Sequence, residues 1–370
     1  MSEPRRVYSL DVFRGITICL MIIVNTPGSW AFVYSQLSHA KWHGCSVADF
    51  VFPFFLFIVG ASMRFAFVKW HHYPSKEFYS HILKRTCSIF FAGIMLNAFP
   101  FIRQDWDWSE FRYLGVLQRI ALSYGLSALL IIKFDFKQLI QILASLLLFY
   151  WAILWIGGGE FPYSLEDNLV RKIDLIVLGK DHLYGGFGIR FDPEGILSTI
   201  PSIGSVIIGY LMGGMLHTTK NYNDCAKRMF IFGCITSMVG YVWGFALPIN
   251  KPLWTSSYVL LTGGIAATCL SILTYLIDIK NWKKSFWIFE VFGSNAIFLF
   301  ILSGLWIKTI TRIKLELGES TVSAYHYLYK TVFYPIGGDV NGSLLFAIAH
   351  VLFYWVILFW LYINKIKVKL

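Results

Sequence analysis

The sequence predicts an all-α, polytopic membrane protein of about ten transmembrane helices. Three observations predict it. Hydrophobic residues make up 56% of the 370-residue chain. Mean hydropathy is +0.60. Only 14% of residues are charged, against about 25% in soluble domains. A crossing helix needs about 20 mostly apolar residues, and stretches of that kind recur from one end of the chain to the other.

In chain order the expected spans are residues 13–27, 47–68, 82–101, 114–132, 139–156, 196–216, 229–248, 254–277, 286–307 and 344–363. The first is short, and Pro27 with Gly28 is expected to unwind its far end. Alternate short loops differ in charge. One set carries Arg5, Arg6, Lys84, Arg85, Lys133, Lys137, Lys227, Arg228, Lys283 and Lys284 among others; the facing set carries Lys41, Arg103, Arg112 and Lys251. The positive-inside rule then puts both termini in the cytoplasm, in keeping with an even span count. It also accounts for the net charge of +11 without a nucleic-acid partner; the partner of such a surface is the lipid bilayer. Segments 157–195 and 308–343 are expected to be external loops that cover a pocket, because connections of that length in a compact domain mostly serve function. No internal repeat or soluble module is visible, so residues 1–370 read as a single domain. The six cysteines are scattered without metal-ligand spacing, and neither a disulfide framework nor a metal site is expected.

The most informative segment is SHAKWHGCSVADFVFPFFLFIVG, residues 38–60. It runs a histidine-bearing polar turn straight into an apolar span, which holds an imidazole at a membrane boundary. Asn25, His39 and Asp49 all fall on the external side of the expected topology. A neutral His can act as a general base, and an amide can donate to a developing oxyanion. His43 is close enough to compete for the base role. Arg119, in LGVLQRIALSY, lies inside an apolar helix, where an arginine is costly and is either paired or functional. Asp49 or the external acids are its candidate partners, and Gln118 beside it could serve either purpose. Asp192 and Glu194 precede a span; they either bind an amine or a sugar hydroxyl, or cap the helix and complement its dipole. Asn250, Lys251 and Trp254 form another external turn, where the Trp either stacks on a sugar or joins the interfacial aromatic belt. At the other end Asp11 and Arg14 can pair at i,i+3, and Arg5, Arg6 and Arg14 suit a phosphate. Gly209 and Gly213 have the spacing of close helix packing; Gly263 and Gly264 could instead make room for a ligand tail.

RVYSLDVFRGITI, HAKWHGCSVADFVFPFFLFIVGAS, GVLQRIALSY, FDPEGILSTIPSI, INKPLWTSSYVLLTGG and GSNAI together resemble the heparan-α-glucosaminide N-acetyltransferase family, along nearly the whole chain. The resemblance implies a ten-helix core that moves acetyl from cytosolic acetyl-CoA to the amine of a glucosamine-type sugar across the membrane. It implies His39, from the HAxWxG motif, as the catalytic histidine and Asn25 as its partner. Asp49, Gln118, Arg119, Asp192, Glu194, Asn250, Lys251 and Trp254 would form the acceptor site. Arg5, Arg6 and Arg14 would hold the donor's phosphates, and Gly209, Gly213, Gly263 and Gly264 would line a tunnel for its thioester arm. Direct transfer is expected rather than an acetyl-histidine. A bacterial inner membrane and a homodimer are the expected setting. The animal family members' large lumenal domain is not seen, and His43 stands where they have an Asn. The alternatives are an amino-sugar transporter and an O-acyltransferase acting on an envelope glycan.

Overall fold

The computed structural model describes residues 7–70, 75–101 and 107–368; Arg5, Arg6 and Arg103 lie outside that set. The elements in order are α1 (Tyr8–Asn25), a 3₁₀ turn (Val47–Phe50) that leads into α2 (Val51–Ala66), α3 (Lys76–Ala98), α4 (Val116–Lys133) and α5 (Phe136–Gly157). Then come α6 (Leu169–Val177), α7 (Thr199–Thr218), α8 (Tyr222–Trp243), α9 (Ser256–Leu273), α10 (Lys283–Ser294) and α11 (Ala296–Ile310). A hairpin of β1 (Lys314–Leu317) and β2 (Ser320–Ser323) precedes α12 (Ala324–Leu328), α13 (Tyr334–Gly337) and α14 (Val340–Ile363). Helix starts are set by side chains that satisfy otherwise orphaned backbone donors. Ser75 accepts from the Phe78 amide at 3.3 Å, Asp135 from Gln138 at 2.9 Å and Asn168 from Arg171 at 2.8 Å. The first helix stops at Asn25, ahead of Pro27 and Gly28.

The fold is all-α and polytopic, and each expected span meets a helix. Among the described residues eight helices are long and apolar enough to cross a membrane, and the α10–α11 pair makes a ninth candidate. The remaining expected span, residues 82–101, falls in α3, 23 residues long, whose apolar stretch is diluted by His81, Lys84 and Arg85. Two expectations need correction. The span at 286–307 is not one helix: α10 and α11 meet at 68°. Asn295, at φ −136°, ψ 42°, leaves the helical region, and its side chain takes up the chain end instead. Its Nδ2 donates to the Ile366 carbonyl at 3.0 Å and its Oδ1 accepts from the Val368 amide at 2.8 Å. The segments 157–195 and 308–343 are not plain loops either. They contain α6, which is amphipathic but too short to cross a membrane, and the hairpin, α12 and α13, which are too short for hydrophobic periodicity to reveal.

The helix α7 is the axis of the bundle and is buried along nearly its whole length. It lies against α2 with backbones touching. A methyl group on Gly209 would come within 1.9 Å of the Phe57 carbonyl oxygen, and one on Gly60 within 1.9 Å of that of Val206. Such contact is how apolar helices associate where hydrophobicity cannot drive them together. Gly213 meets Ala61 backbone, Gly263 the Ile208 side chain and Gly264 the Ser237 backbone. These four glycines therefore make packing contacts.

Hydrogen bonds identify the two ends of the bundle. At one end Ser9 meets Thr274 and Arg14 meets Ser62. At the other, the Gly28 amide donates to the Ser343 carbonyl, the Gly44 amide to that of Ile249 and the Tyr150 hydroxyl to that of Leu253. The first is the arginine- and lysine-rich end; the second carries His39. Replacing Gly209 by Val should force α2 and α7 apart and destabilise the protein by roughly 1–3 kcal/mol or more, read as a lower unfolding temperature in detergent, whereas Gly209→Ala should cost less.

Candidate active site

Asp49 organises the His39 end. It lies in the 3₁₀ turn ahead of α2, with its side chain only 2% exposed. Its Oδ2 accepts from the Ala40 amide at 3.1 Å, the Ser46 amide at 3.0 Å and the Ser46 hydroxyl at 3.0 Å. Its Oδ1 stands 2.7 Å from His39 Nδ1 and 3.4 Å from Lys251 Nζ. A carboxylate that close to a ring nitrogen requires a proton between them, so Nδ1–H donates to Asp49 and Nε2 keeps its lone pair, with the Lys251 ammonium 3.4 Å away. The imidazole is 45% exposed, which leaves Nε2 open to a substrate.

The position of Asp49 is itself a consequence of sequence. Pro53 has no N–H, so the Asp49 carbonyl four residues earlier has no helical donor. The buried Tyr258 hydroxyl donates to it instead, at 2.5 Å. This ties the start of α2 to α9.

Lys251 arrives on a separate turn, clamped by its own residues. Asn250 Oδ1 accepts from the Leu253 amide at 2.7 Å, and the Trp254 amide donates to the Lys251 carbonyl at 3.0 Å. Trp254 holds a positive φ of 52°, uncommon for a bulky residue. Asn250 Nδ2 reaches across to the Trp42 carbonyl at 2.9 Å. The Lys251 ammonium thus lies 3.1 Å from His39 Nδ1 and 3.4 Å from Nε2. His43 instead faces Asn250 Nδ2 at 3.4 Å, and partial burial lowers its basicity. Of the two histidines, His39 is the one backed by a carboxylate.

A second cluster adjoins this one. Arg112 makes a two-pronged contact with Asp192, at 2.8 and 2.7 Å, and reaches Glu194 at 2.6 Å. Asp192 is fully buried and Glu194 nearly so. Glu194 is close enough for its charge to act on Lys251, which connects the two clusters. Sequence reading treated Arg112 as an ordinary loop charge; its partners lie some 80 residues on, and no local pattern signals them. Behind the loop, burial pushes the Asp174 carboxyl up to about 7, against the pull of the Ile196 amide, which donates to it at 2.9 Å. Gly195 has to be glycine, since a methyl there would sit 1.8 Å from Asp174 Oδ2.

Other expected site residues turn out to be walls. Arg119 pairs with neither Asp49 nor the acids. It donates to the Gly195 carbonyl at 3.1 Å and to the Ser198 hydroxyl, and lies over the Trp254 ring. Trp254 is 1% exposed and donates to Ser205 Oγ at 3.3 Å, so its ring neither faces a sugar nor joins an interfacial belt. Gln118, also buried, donates to the Tyr113 carbonyl at 3.0 Å. Asn250 is fully buried and serves as the clamp described above. Asn25 is exposed at the end of α1, and no hydrogen bond joins it to His39 among the described residues.

At the basic end a cavity of about 440 Å³ opens between α1, α2, α3, α4 and the α10–α11 break, lined among others by Arg14, Ser62, His81, Arg85 and Asn295. Arg14 pairs with Asp11 at 3.1 Å, as the i,i+3 spacing suggests, and donates to Ser62 at 2.7 Å. Phe55 is the cavity-lining residue of α2 nearest to His39 in sequence. It follows Asp49 by six residues, about 9 Å of helix.

The family model described as "Heparan-alpha-glucosaminide N-acetyltransferase, catalytic" matches residues 6–240. The chain belongs to this family. It is 28% identical over 355 residues to the heparan-alpha-glucosaminide N-acetyltransferase of Homo sapiens, covering 80% of this chain and 52% of that protein. It is 27% identical over 357 residues to that of Mus musculus, covering 81% and 53%. The chain thus spans about half the length of these relatives. Within the family match lie His39, Asp49, Arg112, Asp192 and Glu194; Lys251 follows it.

Removing Arg112 should strand a fully buried carboxylate. Arg112→Met is expected to cost about 3–5 kcal/mol, read as a fall in unfolding temperature that Arg112→Met/Asp192→Asn partly recovers. Asp174 should give a pH signature. Its folded-state pKa exceeds its unfolded value, so the proton bound by the native state stabilises at low pH and that contribution is lost as pH rises towards 7. Asp174→Asn should therefore raise the unfolding temperature more at pH 8 than at pH 5, the difference amounting to at most about 3 kcal/mol. Equal shifts at both pH values would contradict the assignment.

Proposed function

We propose that this protein is a transmembrane acetyltransferase, with His39 as general base, that moves acetyl from acetyl-CoA on the basic side to the amine of a glucosamine-type sugar on the opposite side. The observation that carries the reading is the His39–Asp49 pair: an exposed imidazole with its tautomer chosen by an almost wholly buried carboxylate, in a chain of this family. The positive-inside rule makes the basic end cytoplasmic, so His39 works at the external face of an inner membrane.

The incoming amine loses its proton to His39 Nε2 as its nitrogen attacks the thioester carbon. Imidazole, with a pKa of about 6.5, suits an amine that titrates near neutrality. Asp49 holds the ring and stabilises the imidazolium that forms, as the third group of a catalytic triad does. Arg112 fixes Asp192 and Glu194 near Lys251; Glu194, the less enclosed of the two, meets the hydroxyls of the sugar, and the fully buried Asp192 holds Arg112 in place. Asn25, exposed at the end of α1, joins Glu194 as a contact for the acceptor. Arg14, His81 and Arg85 suit the donor's phosphates, and guanidinium groups match phosphate geometry. From that cavity the thioester arm has only about 9 Å along α2 to cover before it reaches the level of Asp49. The arm passes beside α2 rather than along the packed glycines of α7 and α9.

The test is transfer from labelled acetyl-CoA to glucosamine by the purified full-length protein. His39→Gln should abolish product, His43→Gln should leave most of it, and Asp49→Asn should lower kcat by about 100- to 10,000-fold. Arg14→Ala and Arg85→Ala should raise KM for acetyl-CoA with little change in kcat. Product formation that survives His39→Gln would refute the base assignment, and uptake of glucosamine into vesicles without acetylation would favour transport.

A further inference from the structure

Acyl transfer needs a donor aimed at the oxygen that becomes negative when the amine attacks, and an amide at Asn25 is the residue that sequence reasoning offers. The geometry points elsewhere. Asn25 is exposed and among the described residues no hydrogen bond joins it to His39, whereas the Lys251 ammonium stands over the His39 ring, 3.1 Å from Nδ1 and 3.4 Å from Nε2, the nitrogen that faces the reaction. Resting on His39 as the base, we propose that Lys251 is a catalytic residue, its ammonium stabilising the oxyanion formed from the thioester carbonyl.

The distances constrain the arrangement. The attacking nitrogen must lie within about 3 Å of Nε2 to give up its proton. The carbonyl carbon must then lie about 3–3.5 Å from that nitrogen. The space that satisfies both is bordered by Lys251 Nζ, and a donor 2.7–3.1 Å from the oxyanion is what such catalysis requires. Attack forms the C–N bond and sends the carbonyl electron pair to oxygen, beside the ammonium. Collapse returns that pair, breaks the C–S bond and leaves the pair on sulfur. The amine proton travels through His39 Nε2 to the thiolate, so the products are amide and thiol.

Lys251 is also built to stay in place. Its side chain is 19% exposed and bonded to Asp49 Oδ1 at 3.4 Å, and its turn is clamped by Asn250. Its surroundings contain His39 and Cys45 from the His39 loop, Asp49 from the start of α2 and Glu194 from the loop before α7. Burial lowers its pKa below the ordinary lysine value, and Asp49 and Glu194 oppose that change. Rate should then fall on the alkaline side as Lys251 gives up its proton.

The experiment compares wild type, Lys251→Met, Lys251→Arg and Asn25→Ala in acetyl transfer from acetyl-CoA to glucosamine, with kcat and KM followed across pH. Lys251→Met should lower kcat by about 100- to 1,000-fold with KM for glucosamine within about twofold. Lys251→Arg should stay within about tenfold of wild type, and its alkaline limb should move to higher pH because guanidinium does not deprotonate there. Asn25→Ala should cost less in kcat than Lys251→Met. Wild-type kcat in Lys251→Met, a loss confined to KM, or an unmoved alkaline limb in Lys251→Arg would overturn the proposal while the acetyltransferase reading stood. Absence of transfer by wild type would overturn that reading and this proposal together. Should Lys251→Met fail to fold, the alkaline limb in Lys251→Arg still decides.

Discussion

The burial of one carboxylate is the constraint on which the rest of the site depends. Asp49 is removed from water at the mouth of a helix, and such a charge is tolerable only when its lone pairs are filled. Five groups fill them: His39, Ala40, the amide and hydroxyl of Ser46, and Lys251. Satisfying Asp49 therefore folds the His39 loop back on itself, draws in a turn from some 200 residues away and orients the imidazole. The demand of an anion for hydrogen bonds is turned into geometry at the neighbouring ring.

Two kinds of backbone device carry that geometry into the bundle. Pro53 frees the Asp49 carbonyl, and Tyr258 of α9 takes it. Gly60 and Gly209 let α2 and α7 touch backbone to backbone, which fixes the helix that begins at Asp49 against the most buried helix of the fold. The same helix lines the basic cavity from Phe55 onwards. One rigid element thus connects a cation-rich chamber with an acid–base pair at the opposite end. In the proposed reaction it connects donor and acceptor compartments.

The fold was largely legible in the chain because the bilayer imposes a simple length rule on apolar segments, and every expected span meets a helix. Legibility failed where a partner distant in sequence intervened. Asn295 breaks the ninth span because residues 366–368 dock on its side chain. Helix α6 carries its apolar residues at helical spacing in LVRKIDLIV but is too short to cross a membrane, so the length rule passes over it; the four-residue strands of the hairpin show no clear period. Within the site, His39 and Asp49 stood out for being close in sequence around a helix start. Arg112 did not, since its meaning comes entirely from Asp192 and Glu194. Trp254 and Gln118 looked like substrate contacts because polar and aromatic groups near a membrane boundary suggest function; the fold buries both.

By itself the sequence determined the class of protein, the family resemblance and the pair of histidines that compete for the role of base, because hydropathy and a local motif are properties of contiguous chain. Only the tertiary structure decided which histidine is backed by a carboxylate, which lysine stands beside its second nitrogen, and which backbones the glycines of α7 and α9 pack against. Those outcomes turn on distances of 2 to 4 Å between segments up to 212 residues apart, and contacts of that kind come into being only when the helices pack.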